Sequence, residues 1–131
     1  LVDDPAVEIA AFLGRGWHIV LEDAPSAVIL VDTGGRIQWA NRAFITLFGY
    51  ARPEIVGKQV NFLLPEDRRE RHGEYIAGWF KHPRPRPMGT DLNIQGSNKN
   101  GDLLDLDIKL TPIETEGGIM ALAWIMEREK P

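Results

Sequence analysis

Leu104-Asp105-Leu106-Asp107-Ile108-Lys109-Leu110 alternates apolar with charged residues without a fault. That period of two is the mark of a strand with one face in a core and the other in solvent. Upstream, Asn98-Lys99-Asn100-Gly101 is hairpin-turn chemistry, and Asp91 to Gln95 alternates as the partner strand. Downstream, Glu116-Gly117-Gly118 turns the chain into Ile119 to Met126, an unbroken apolar run read as a buried strand. A second hairpin lies further back, where Ala27 to Val31 is a continuous β-prone run, Asp32-Thr33-Gly34-Gly35 is a turn, and Arg36 to Ala40 alternates. Between the hairpins, Asn41 caps a short helix whose apolar face is Phe44, Leu47 and Phe48, and Gly49 supplies its left-handed end. Pro65-Glu66-Asp67 opens a longer helix to about Phe80. Pro83, Pro85 and Pro87 then make Lys81 to Pro87 a stiff loop. This order of elements predicts an α+β fold, a five-stranded antiparallel sheet carrying its helices on one face.

Ahead of the sheet, Asp4-Pro5 caps an amphipathic helix on which Ala6, Ile9, Ala10, Leu13 and Trp17 recur at helical spacing. Gly14 and Gly16 break it, and Trp17 to Asp23 forms another short helical piece. The expected division is an N-terminal helical extension over 1–19 and a core over 20–131.

The 131 residues suit one domain, with 44% hydrophobic and 26% charged residues. No cysteine is present, so disulfides, thiolate metal sites and cysteine nucleophiles are excluded. A net charge of -4 argues against a general nucleic-acid surface, which needs clustered Lys and Arg. The run Ile119 to Met126 is too short to span a bilayer, and the start lacks the order of a signal peptide. A cytoplasmic domain, cut from a longer chain, is expected. His18, His72 and His82 are scattered, without metal-ligand spacing to a carboxylate, and no glycine-rich phosphate loop follows a strand. No enzymatic activity is expected of this chain itself.

Several strings in order resemble a PAS sensor domain: Gly35-Arg36-Ile37-Gln38-Trp39-Ala40-Asn41-Arg42-Ala43-Phe44, Phe48-Gly49-Tyr50, Pro53-Glu54-Ile55-Val56-Gly57-Lys58, Leu64-Pro65-Glu66-Asp67-Arg68 and Asn98-Lys99-Asn100-Gly101-Asp102. Leu110-Thr111-Pro112-Ile113 precedes the last strand, and the match covers about residues 20 to 128. The resemblance implies the PAS fold, with a pocket between sheet and helices that receives a small ligand or cofactor. It also implies signalling to an effector domain in the same chain, such as a histidine kinase or diguanylate cyclase, within a bacterial protein. Homodimerisation through the helix Asp4 to Leu13 is the further implication, and a lid on the chain's own sheet is the other use of that helix. A dimerisation module whose core is filled is the alternative function.

On the strand alternation, Leu92, Ile94, Leu106, Ile108, Leu110, Met120, Leu122 and Trp124 are expected to point inward against Phe44, Phe48, Phe62 and Tyr75. His72, Tyr75, Ile76 and Trp79 share the apolar face of the long helix. Three occupants stay open. Arg71-His72-Gly73-Glu74-Tyr75-Ile76 is similar to the helix that carries the haem-ligating histidine in oxygen-sensing PAS domains of the FixL type, and His72 falls on that histidine. Those sensors carry a distal arginine where this chain has Leu92. Gly57 to Leu64 resembles a relaxed form of the light-sensing flavin motif with Val60 in place of its cysteine, so an adduct is excluded. Noncovalent FAD would use Asn61 and Trp39. A small organic ligand would use His72, Tyr75 and Thr90, and a filled core needs none. At the exit, Trp124-Ile125-Met126-Glu127-Arg128 stands where many PAS domains carry a string resembling Asp-Ile-Thr-Glu-Arg. Trp124 is the residue expected there to sense occupancy.

Overall fold

In the computed structural model, which describes residues 16–87 and 94–128 apart from the side chains at 17 and 18, β1 (Ala27–Val31) is buried along its whole length. It lies inside the sheet, between β2 (Ile37–Ala40) and β5 (Gly118–Glu127), and both its faces are covered. That position explains a run with no polar residue. β4 (Leu103–Thr115) pairs with β5 over its full length, and β3 (Ile94–Ser97) forms the far edge. The order is β2-β1-β5-β4-β3, every pair antiparallel. The expected five-stranded sheet is therefore present. The helix expected over Asp4 to Leu13 lies outside the described residues, and the short piece after it is α1 (Trp17–Glu22).

β1, β2, β4 and β5 divide their apolar residues between two clusters. Ile29, Val31, Leu106, Leu110 and Ile125 join the cluster beneath the helices, with Phe44, Phe48, Ile55 and Leu63. Val28, Leu30, Ile113 and Leu122 form a second cluster on the opposite face, against which Leu21, Trp39, Met120 and Trp124 pack. Met120, Leu122 and Trp124 thus face away from the helices, against expectation, and Ala121, Ala123 and Ile125 take the inner face. The cause is the apolar run itself. A shift of one residue flips every side chain, and a run without polar residues carries no mark of its phase.

The helical layer starts where expected. The Asn41 side chain accepts from Phe44 N–H and caps α2 (Arg42–Phe48), which ends at Gly49 with φ 81°, a backbone state that favours glycine. α3 (Arg52–Ile55) and a 3₁₀ turn, Val60–Leu63, follow. The long helix starts later than Pro65, because Glu66–Arg68 is a 3₁₀ turn and α4 is Arg69–Lys81. Tight 3₁₀ geometry at a helix entry is common.

The proline loop is stiff in a defined way. Pro83, Pro85 and Pro87 have no N–H to donate, and Arg86 exchanges two backbone hydrogen bonds of 2.9 Å with Leu110 of β4. Trp79 Nε1 donates to Arg84 O at 3.0 Å. The loop is held against the sheet beyond the end of β3.

Candidate functional site

The sheet cannot close against α4 because its inner face is short of side-chain volume. Ala121 and Ala123 sit on β5 beside Ile29, Val31 and Leu110, where larger residues would fill the space. The result is a cavity of about 770 Å³ with α4 along one wall. That size suits small-molecule sites, which are apolar with a few polar groups. On β3, Gly96 lets the strand approach Phe48, since a Cβ there would stand 3.2 Å from the Phe48 ring and 2.9 Å from Leu106 Cδ1.

Polar groups come from α4 and the segment before it. His72 Nδ1 lies 2.5 Å from Asn61 Oδ1, and Gly73 leaves room for that approach, because a Cβ there would meet Asn61 Nδ2 at 3.0 Å. Tyr75 packs beside the imidazole, with ring centroids 6.3 Å apart. Arg86 Nη1 donates to the Tyr75 hydroxyl at 3.3 Å, and its guanidinium lies 5.5 Å from the Tyr75 ring centroid. Burial, with the nearby Arg86 charge, lowers the His72 pKa from 6.5 to about 4. The imidazole is therefore neutral at pH 7. With Oδ1 only able to accept, the proton belongs on Nδ1 and the lone pair on Nε2.

A pH dependence follows. The unfolded chain binds a proton at His72 near pH 6.5 and the folded chain only near pH 4, so stability is full above the first value and falls as pH drops toward the second. The loss is roughly 3 kcal/mol at most. Urea titrations between pH 7 and pH 4 are expected to show it in the wild type, and His72→Phe is expected to remove most of that slope.

Seven of the expected pocket residues line the cavity: Phe48, His72, Tyr75, Ile76, Ile94, Leu106 and Ile108. Phe44 is buried behind it, stacked on Phe48 at 4.5 Å. Phe62 packs edge-on to Tyr50, and Trp79 is buried against Phe80 and the proline loop. Leu92 and Thr90 lie outside the described residues. Met120, Leu122 and Trp124 belong to the other face of the sheet, as does Trp39, which removes it from a flavin contact. Trp124 instead donates to Thr111 Oγ1 at 3.3 Å, with Lys109 over its ring at 5.7 Å. A sensing role for Trp124 by direct contact with an occupant is thereby corrected. Sequence reasoning missed the cavity-facing alanines and the lining residues Asp67, Arg68, Arg71 and Arg86. The helical spacing of Arg71 and Tyr75 is the signal that would have found one of them.

Among the described residues, no group of three or more His, Asp or Glu side chains converges as a metal site, and no helix is long and apolar enough to cross a membrane.

Comparison with known proteins bears on this geometry. A family model described as the PAS fold matches residues 17–128. The sensor protein FixL of Bradyrhizobium diazoefficiens is 30% identical over 118 residues, covering 88% of this chain and 23% of that protein. The oxygen sensor protein DosP of Escherichia coli is 27% identical over 107 residues, covering 82% of this chain and 13% of its own length. The solved PAS domain of an HTR-like protein from Haloarcula marismortui superposes with a TM-score of 0.71 at 18% identity, covering 92% of this chain and 96% of that one. The chain thus spans less than a quarter of the length of the two curated relatives.

Proposed function

The chain belongs to the PAS family, and on that premise we propose that it is a sensory module which holds a small ligand or cofactor under α4 and relays its presence to an effector domain of the same polypeptide. PAS modules of this kind occur in sensor proteins, among them an oxygen sensor and histidine kinases. The observation that carries the proposal is the roughly 770 Å³ cavity over Ala121 and Ala123. A module with a filled core would place large side chains at those two positions. The proposal extends to a cytoplasmic module without catalysis of its own, dimerising through the helix expected over Asp4 to Leu13, with 20–131 as the sensor core.

Native mass spectrometry of the purified protein, with its absorption spectrum, tests the reading. A bound molecule is expected in the wild type and not in Ala123→Leu, whose new side chain occupies the cavity while circular dichroism stays unchanged. A wild type that carries no added mass, and whose melting temperature responds to no compound in a metabolite screen, would sink the proposal. A ligand that binds only the folded state must raise that temperature.

A second reading rests on His72. Its neutral imidazole lines the cavity and is held through Nδ1 by Asn61, which leaves the lone pair on Nε2, the tautomer a metal-ligating histidine requires. The donor and the apolar walls fit haem, held by His72 with Asn61 orienting the ring. Haem would supply gas binding. A Soret band lost in His72→Ala would support it.

A further inference from the structure

His72 and Tyr75 both line the cavity from α4, and the protein already uses one hydrogen-bonding function of each ring. The Tyr75 hydroxyl accepts from Arg86 Nη1 at 3.3 Å, and His72 Nδ1 lies 2.5 Å from Asn61 Oδ1. His72 Nε2 is different. No described residue reaches it with a hydrogen bond. It is not sealed away either, because among the described residues no buried side-chain nitrogen or oxygen lacks a partner. An atom that is unbonded and still reachable is open to a small molecule.

The tautomer decides what that molecule must offer. A carboxamide oxygen only accepts, so the proton sits on Nδ1 and Nε2 keeps a lone pair. Burial acts in the same direction, lowering the His72 pKa to about 4 and leaving the ring uncharged at neutral pH. Nε2 is thus a neutral acceptor in a cavity whose floor is Ile29, Val31, Ala121 and Ala123. A ligand that covers such an acceptor without bonding to it removes its water and returns nothing, which is costly. One that brings a hydroxyl or N–H group satisfies it.

We propose that the cavity selects an apolar molecule carrying a neutral hydroxyl or N–H donor, which bonds to His72 Nε2. The inference rests on the sensory reading above and narrows its ligand class. Asn61 is the positioning residue, since its amide oxygen holds the proton on the other nitrogen.

Two pairs of probes differ in the donor alone: 2-naphthol against 2-methoxynaphthalene, and indole against N-methylindole. Their binding to the purified protein is measured by calorimetry, and the two pairs separate hydroxyl from N–H recognition. The donor-bearing member of at least one pair is expected to bind about tenfold more tightly than its methylated partner. His72→Phe, which keeps a ring and removes the acceptor, is expected to abolish that preference while the methylated probes bind as before. Equal binding within both pairs, or a preference that persists in His72→Phe and so reflects only the added methyl group, overturns the donor selection. NMR of isotope-labelled histidine nitrogens gives a check on the wild type alone: the proton is expected on Nδ1, with mixed tautomers in Asn61→Ala. A proton on Nε2 overturns the inference whether or not His72→Phe folds. A Soret band lost in His72→Ala assigns Nε2 to iron, which overturns the donor selection and leaves the cavity in use. Failure of all four probes to bind also overturns it, and the sensory reading is then decided separately by the bound mass and the metabolite screen.

Discussion

Asn41→Ala is expected to destabilise the protein by about 3–5 kcal/mol and to lower its melting temperature by roughly 10–20 °C. The side chain is fully buried and makes four hydrogen bonds. Its oxygen accepts from Val28 N–H at 2.8 Å and Phe44 N–H at 3.1 Å. Its nitrogen donates to Leu21 O and Ser26 O, both at 2.9 Å. One amide therefore ties the end of α1, the entry to β1 and the start of α2. Alanine leaves four backbone groups without that partner, and the cost of an unmet buried group exceeds the gain from a made one. Asn41→Asp separates the two halves, because it keeps both accepted bonds and loses both donated ones. Urea unfolding should place it between the wild type and Asn41→Ala if the contributions divide. An Asn41→Ala protein with the wild-type midpoint would show that water replaces the amide at no cost.

Gly96→Val is expected to cost about 3 kcal/mol or more, and Gly96→Ala about 1–2 kcal/mol. Strand propensity alone predicts the opposite sign, since glycine weakens a strand and valine favours one. Contact decides. The Cβ position is 2.9 Å from Leu106 Cδ1, 3.2 Å from Phe48 Cε1 and 3.3 Å from Leu63 O. The leucine methyl can yield, but the backbone oxygen is held by its 3₁₀ turn, so a side chain here pushes β3 off the floor of the cavity. Chemical denaturation of both variants checks the order, and a Gly96→Val protein more stable than the wild type would refute the close packing.

These two residues show what a sequence can carry and what it cannot. Asn41 was legible as a helix cap, because a cap is local: the acceptor and Phe44 N–H are three residues apart. Its other three partners were not, since Leu21, Ser26 and Val28 reach it only once the sheet exists. β4 was legible down to the face of each residue because Asp105, Asp107 and Lys109 mark the solvent side. β5 was legible as a strand and illegible in phase. The larger residues Met120, Leu122 and Trp124 read as core, and they are packed, but on the opposite face of the sheet. The same phase error hid Ala121 and Ala123 beneath the cavity, for a pocket is made by what is small. His72 was found because helical spacing put it beside Tyr75 and Ile76, and all three line the cavity. Asn61, eleven residues away, needed the turn that carries it back to α4.

The alternation of β5 between two faces also sets how such a protein can change over generations. Substitutions at 121 and 123 resize the cavity, and substitutions at 122 and 124 remodel the outer cluster, each without touching the other. A single-codon insertion or deletion within the strand exchanges both sets at once, sending Leu122 and Trp124 into the cavity and alanines to the far side. Lineages can therefore diverge in ligand and in contacts across the sheet by independent steps, provided the length of this strand is held constant.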